Sequence, residues 1–164
     1  MKMDLIQPFI NAADAVLAET LHGPAHMFDV SMDEFAYRRK GVAAMVQIEG
    51  QIEGRIIFDA ESKTAAAIAR ELWAGETASG ELVHEALFEL ANLVIGNAVT
   101  TLNDEGFHFR VRPPQLHGAE EGAGASEETE AVVMCFDSPK GRIFLNIAMH
   151  YNSLHTDTPA VTSR

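Results

Sequence analysis

The sequence predicts an α+β fold, a mainly antiparallel sheet of about six strands with one long helix and two further helices packed on it. Three observations carry that expectation. Glu81–Asn103 keeps an unbroken helical period, two shorter segments do the same, and the remaining apolar runs are short and rich in β-branched and aromatic residues. A chain of 164 residues with 47% hydrophobic and 22% charged residues has the composition of one globular domain, expected over residues 1–152.

The first helix is expected over Leu5–Leu21, where Leu5, Phe9, Ala12, Val16 and Thr20 share one stripe and Asp4 with Gln7 has capping-box spacing. From His26 to Phe35 and from Val42 to Ile48 the period falls towards two, and Arg38-Arg39-Lys40-Gly41 separates these strands as a solvated turn. A third strand fits Gly54–Asp59. Ser62 is placed to cap a second helix over Lys63–Ala74, with Leu72 and Trp73 as packing residues and Gly75 as its stop. The long helix opens at Ser79 or Gly80, runs about 35 Å at about 1.5 Å per residue, and ends at Gly106.

Strand character returns at Phe107–Val111, Ala131–Phe136 and Arg142–His150. The Gly-rich, acidic segment 116–130 is too polar to pack and is expected to be a mobile loop, and 153–164 a flexible C-terminal tail. Gly54-Arg55-Ile56-Ile57-Phe58 is echoed by Gly141-Arg142-Ile143-Phe144-Leu145. Two similar hairpins in one sheet account for the echo, and an ancestral duplication is the other reading.

With 12 Lys+Arg against 24 Asp+Glu the formal charge is -12, and Glu120, Glu121, Glu127, Glu128 and Glu130 crowd one short stretch. Phosphate backbones and anionic lipid surfaces repel such a protein, so neither nucleic acid nor membrane is expected as a partner. Cys135, the single cysteine, cannot form an intrachain disulfide and is expected to be buried and inert. Of the seven histidines only His22 and His26 have HxxxH spacing, no HExxH occurs and the rest are dispersed, so no metal site is expected on this chain. Neither GxxxxGK[ST] nor GxGxxG occurs, which leaves nucleotide binding without support. No signal-peptide pattern or run of eighteen apolar residues is present, and a cytoplasmic location is expected.

On a wheel of about 100° per residue, Glu81, Glu85, Glu89, Asn92, Gly96 and Asn103 fall within about 80° of one another. Leu82, Val83, Ala86, Leu87, Phe88, Leu90, Ala91, Leu93, Val94, Ile95, Ala98, Val99 and Leu102 supply an apolar arc wide enough to be buried. A polar stripe is most often just the solvated face of a helix. Gly96 argues for more, because glycine costs a helix roughly 1 kcal/mol relative to alanine. Lying one turn beyond Asn92, it leaves room for an approaching partner.

Glu89-Leu90-Ala91-Asn92-Leu93-Val94-Ile95-Gly96-Asn97-Ala98 resembles the signature helix of the CheC/CheX/FliY phosphatases of bacterial chemotaxis, in which an acidic residue and an asparagine three positions on precede Gly-Asn-Ala. The similarity takes in Phe9-Ile10-Asn11-Ala12, Gly54-Arg55-Ile56, the pair Pro113-Pro114, and Ser138-Pro139-Lys140-Gly141-Arg142-Ile143. The signature occurs once here, whereas CheC-type members usually carry two copies, so the closer similarity is to the CheX type.

The resemblance implies a CheC-like fold, a homodimer formed through the sheets, and a phosphatase that removes the phosphoryl group from the aspartate of a CheY-like response regulator. It implies that Asn92 positions the attacking water and that Glu89 docks to the regulator's lysine. Glu85 and Gly96 are the accompanying partner-binding positions, Glu85 standing where CheC relatives often carry Asp or Ser. No cofactor is implied on this chain, and Mg²⁺ is expected on the phosphorylated regulator.

The chemistry suits these residue types. Hydrolysis of an aspartyl phosphate needs a water held in line with the phosphorus, which is a positioning task. A carboxamide orients water without bringing negative charge to the phosphoryl group, and residues one turn apart can enter a partner's cleft together. Two other readings stand beside this one: a non-catalytic adaptor that binds a response regulator or flagellar switch component, and a structural dimer module whose ridge is merely solvated.

Overall fold

The computed structural model describes residues 3–33, 40–73, 80–116 and 131–152. In chain order they form α1 (Met3–Thr20), β1 (His26–Asp33), β2 (Val42–Gly50), β3 (Ile52–Ala60), α2 (Ser62–Leu72), α3 (Gly80–Asp104), β4 (Phe109–Val111), β5 (Gln115–Leu116), β6 (Ala131–Ser138) and β7 (Gly141–Tyr151). The strands make one seven-stranded antiparallel sheet in the order β1-β6-β7-β3-β2-β4, with β5 also paired to β2. The α+β class is as the sequence predicts. The hairpins β2–β3 and β6–β7 meet along the β3–β7 ladder, where Ile56 pairs with Ile147 and Phe58 with Leu145. The two echoing segments are therefore neighbouring strands of one sheet, although Gly141 opens β7 while Gly54 lies inside β3.

Strand alternation sorts the side chains into two faces. Val46, Ile48, Ile56, Phe58, Met134, Phe136, Leu145 and Ile147 share one buried cluster with the three helices. Ala43, Met45 and Ile57 form a smaller cluster on the opposite face. That second face also holds two buried charged groups. The Arg55 guanidinium donates to the side-chain oxygen of Asn146, and Asp59 accepts the backbone N–H groups of Lys40 and Gly41, fixing the chain as it enters β2.

Several local expectations change. The Asp4–Gln7 capping box does not form, because the helix is already under way at Met3; Gln7 reaches forward to Asn11 at 2.9 Å and Asp4 accepts from the Tyr151 hydroxyl at 3.3 Å. Ser62 is the first helical residue of α2, and Glu61 holds the cap position without a side-chain hydrogen bond. Leu116, expected to begin a loop, pairs with Ala44 in β5. Pro113 and Pro114 have no amide hydrogen and break the sheet edge into two short strands along β2. Phe35, Arg38, Arg39, Ala74, Gly75, Ser79, the rest of the acidic segment at 117–130 and the tail at 153–164 lie outside the described residues.

Helix α3 packs against α1 and α2 and over β2 and β3. By length and composition it could cross a membrane, but here its apolar side is the centre of the core. Two contacts fix its start. The Trp73 indole N–H donates to the Leu82 carbonyl at 3.1 Å, tying the end of α2 to the first turn of α3. Glu71 of α2 holds Lys140 at 2.8 Å and His22 at 2.6 Å, joining α2 to the β6–β7 turn and to the chain leaving α1.

Gly54 has φ of +150°, and a Cβ there would stand 1.9 Å from the Ala148 carbonyl oxygen on the neighbouring strand. Gly54→Ala is expected to lower stability by about 2–4 kcal/mol, read as a large fall in denaturation midpoint. Hydrogen bonds from Lys140 and then His22 hold the Glu71 carboxyl below its ordinary value of 4.5. A carboxylate depressed in the folded state contributes stability above its unfolded pKa and loses it as pH falls through the folded one. The difference in melting temperature between wild type and Glu71→Gln is therefore expected to shrink as the pH is lowered through and below about 4.5.

Candidate functional site

The site is built on the outer side of α3. Its inner side consists of Ala86, Leu87, Leu90, Ala91, Val94, Ile95, Ala98 and Leu102, each 2% exposed or less. With that side fixed in the core, helical geometry turns the opposite side to solvent, and Glu81, Glu85, Glu89, Asn92, Gly96 and Asn103 are all exposed. The structure thus brings the six residues of the predicted stripe together as one ridge. Glu89 and Asn92 stand one turn apart. Among the described residues neither side chain has a hydrogen bond or ion pair, and the same holds for Glu85.

Leu93 departs from expectation. It belongs to the apolar arc by residue type, yet it is 40% exposed, while Leu82, Val83, Phe88 and Val99 are half-buried. The reason is rotational: Leu93 lies only about 40° round the helix from Glu89, on the side that α1, α2 and the sheet leave uncovered. Its angle was legible in the sequence, and its apolar character obscured it.

Gly96 is open. Among the described residues a Cβ built there meets nothing within 4 Å, so none of them requires a glycine at the position. The neighbouring hydroxyls bond back into the helix, Thr100 to the Gly96 carbonyl at 3.0 Å and Thr101 to the Asn97 carbonyl at 3.3 Å, and they are not poised as nucleophiles. The amino-terminal half of the ridge carries carboxylates at Glu81, Glu85 and Glu89, and α3 contains neither Lys nor Arg. Like charges at this spacing weaken an isolated helix by a few tenths of a kcal/mol, a cost that the buried side of α3 absorbs.

The ridge presents two carboxamides and three carboxylates without a nucleophile–base pair. Among the described residues no group of three or more His, Cys, Asp or Glu side chains could hold a metal ion. A cleft lined by Gln47, Arg112, Pro113, Pro114 and Gln115 lies at the β2 edge, and Gln47 points away from the helices, so this cleft is separate from the ridge. Cys135 is buried in β6, Trp73 is half-buried against the core, and Lys40 stands over the Phe144 ring at 5.5 Å. Such a surface can act chemically only on a group that a partner brings to it.

The model of the chemotaxis phosphatase CheX family matches residues 42–137, a range that takes in β2 through most of β6 and all of α3. Among curated proteins none matches the chain. Among solved structures, the chain is similar to a chain of the CheX-CheY-BeF3-Mg+2 complex from Borrelia burgdorferi, with 32% identity, a TM-score of 0.73, and coverage of 91% of this chain and 99% of that one. A CheC-like superfamily protein from Shewanella sp. PV-4 shares the fold at 22% identity and a TM-score of 0.77, covering 92% of this chain and 99% of that one. The chemotaxis protein CheX from Desulfovibrio desulfuricans does so at 18% identity and a TM-score of 0.76, covering 90% and 99%. A family match over more than half of the residues, joined to a relative 32% identical across nearly the whole length, establishes that this chain belongs to the CheX family of chemotaxis phosphatases.

Proposed function

We propose that the chain is a cytoplasmic phosphatase for the aspartyl phosphate of a CheY-like response regulator, with Asn92 positioning the attacking water and Glu89 docking to the regulator's lysine. The observation that carries this reading is the exposed Glu89–Asn92 pair, without a hydrogen bond or ion pair among the described residues, on a helix whose other side is locked in the core of a CheX-family chain. The relative found with CheY, BeF3 and Mg+2 supports the choice of partner.

In the reaction, the oxygen of a water forms a bond to phosphorus as the bond from phosphorus to the aspartate oxygen breaks. Inorganic phosphate leaves and the regulator's carboxylate is restored. The Asn92 carboxamide accepts a hydrogen bond from that water, which turns a lone pair towards phosphorus without placing a negative charge beside the phosphoryl oxygens. Glu89 would repel those oxygens if it held the water itself. Paired with an ammonium group it serves instead to set the depth and direction of docking. Mg²⁺ on the regulator would balance the remaining charge, and this chain is not asked to supply a metal.

Glu85, one turn before Glu89, and Gly96, one turn beyond Asn92, complete the docking surface. A ridge suits this division of labour better than a pocket would, because the reacting group arrives inside the partner's own cleft. The sheet ends in β1 on one side and in β4 and β5 on the other, and such edges offer a route to a homodimer by strand pairing.

The test is the decay of aspartyl phosphate on CheY-like regulators of the same genome, with Mg²⁺. Wild type is expected to accelerate decay, and Asn92→Ala to lose about 100-fold or more of that acceleration while still binding the regulator loaded with beryllofluoride. Glu89→Ala is expected to weaken binding by about 30-fold or more as well as to slow decay. A regulator that binds wild type but keeps its phosphate would identify an adaptor, and absence of binding to every regulator would leave only a solvated ridge. Gly96→Ala is expected to stabilise the isolated protein by about 0.5–1 kcal/mol, raising its melting temperature by about 1–4 °C, while slowing dephosphorylation.

A further inference from the structure

We infer that Leu93 is the apolar anchor of the docking ridge, seated against an apolar side chain of the phosphorylated regulator beside its phosphoryl-bearing cleft, and that it selects among regulators. The inference rests on the reading of Glu89 and Asn92 as the regulator-docking pair. Leu93 follows Asn92 directly and stands about 40° round the helix from Glu89. A partner that receives both of those side chains also covers Leu93.

Its surroundings favour contact over chance exposure. A single exposed leucine on a protein surface is ordinary, but this one interrupts an exposed stripe of Glu, Asn, Gly and Thr on a helix whose other large apolar residues are buried or half-buried. Glu89 lies one turn before it, and Gly96 and Asn97 lie one turn after it. The space over Gly96, empty to 4 Å among the described residues, leaves room beside Leu93 for an incoming side chain. An apolar centre bordered by polar groups is the usual arrangement of an interface residue that contributes much of the binding.

Selection follows from what the other two residues read. Glu89 and Asn92 address a lysine and an aspartyl phosphate, which every regulator of this kind presents. They cannot tell one regulator from another, so discrimination must come from contacts next to them. A leucine supplies it by rewarding an apolar counterpart and desolvating a polar one. Because Leu93 touches no reacting atom, it binds ground state and transition state alike and alters KM rather than kcat.

The test uses the full chain with a phosphorylated CheY-like regulator. Leu93→Ala is expected to raise KM about tenfold with kcat unchanged, Leu93→Met to restore KM to within about twofold, and the preference for that regulator over weaker substrates to shrink about tenfold. The Kd for the beryllofluoride-loaded regulator is expected to rise by the same factor as KM, and that readout holds even where the wild-type protein hydrolyses nothing. Loss of the phosphatase reading and loss of this inference are thereby separable. Unchanged KM and Kd in Leu93→Ala, or a fall in kcat alone, would overturn the inference. So would a change in the oligomeric state of the free protein, because the occupant of the ridge would then be a second copy of this chain.

Discussion

Eight residues of α3, from Ala86 to Leu102, are 2% exposed or less, and turning the helix by one position would carry Glu89 into their place. An unpaired carboxylate buried there would cost several kcal/mol, while each Leu, Val or Ile already buried contributes about 1.5–3 kcal/mol. The rotational setting of α3 is therefore fixed by the core. Ala12 and Ala13 of α1 and Ala86, Ala91 and Ala98 of α3 are buried in the same core cluster, and α1 packs against α3. What α3 shows to solvent is a consequence of what it buries.

The rest of the fold serves that packing. The β3–β7 ladder brings two hairpins together into the apolar floor beneath the helices, and Gly54 permits the strands to pass where a side chain would strike the Ala148 carbonyl. Trp73 bonds the end of α2 to the first turn of α3, and Glu71 gathers α2, the β6–β7 turn and the chain leaving α1 into one polar clamp. A helix held at its start and along its length presents side chains more precisely than a loop does. For a group whose proposed task is to hold one water in line with phosphorus, that rigidity matters more than any special acidity.

Much of this was legible in the sequence because it depends on period. The α+β class, the three helices, the two hairpins and the ridge from Glu81 to Asn103 all follow from where apolar residues recur. Where the structure differs from the sequence reading, the position of a residue in its element outweighs its type. Asp4 and Gln7 have capping spacing, but Tyr151 and Asn11 take their side chains. Leu116 borders an acidic stretch, yet Ala44 of β2 pairs with it across the proline break. Leu93 is apolar and was assigned to the buried arc, although its angle set it beside Glu89. Residue type and residue position disagreed there, and position decided.

The composition of the ridge has a further logic. Gly96 lowers helix propensity by about 1 kcal/mol, and each like-charged pair among Glu81, Glu85 and Glu89 removes a few tenths more. These local costs are small beside the burial along the opposite side of the same helix, so a poorly helical surface persists on an element that cannot unfold without opening the core. The stripe is consequently free to be composed for a partner. In the proposed reading the chain contributes a carboxamide, a carboxylate and an apolar anchor, while the regulator contributes the phosphoryl group, its metal and its lysine. Neither protein then holds a complete catalytic site, and hydrolysis is confined to the encounter between them.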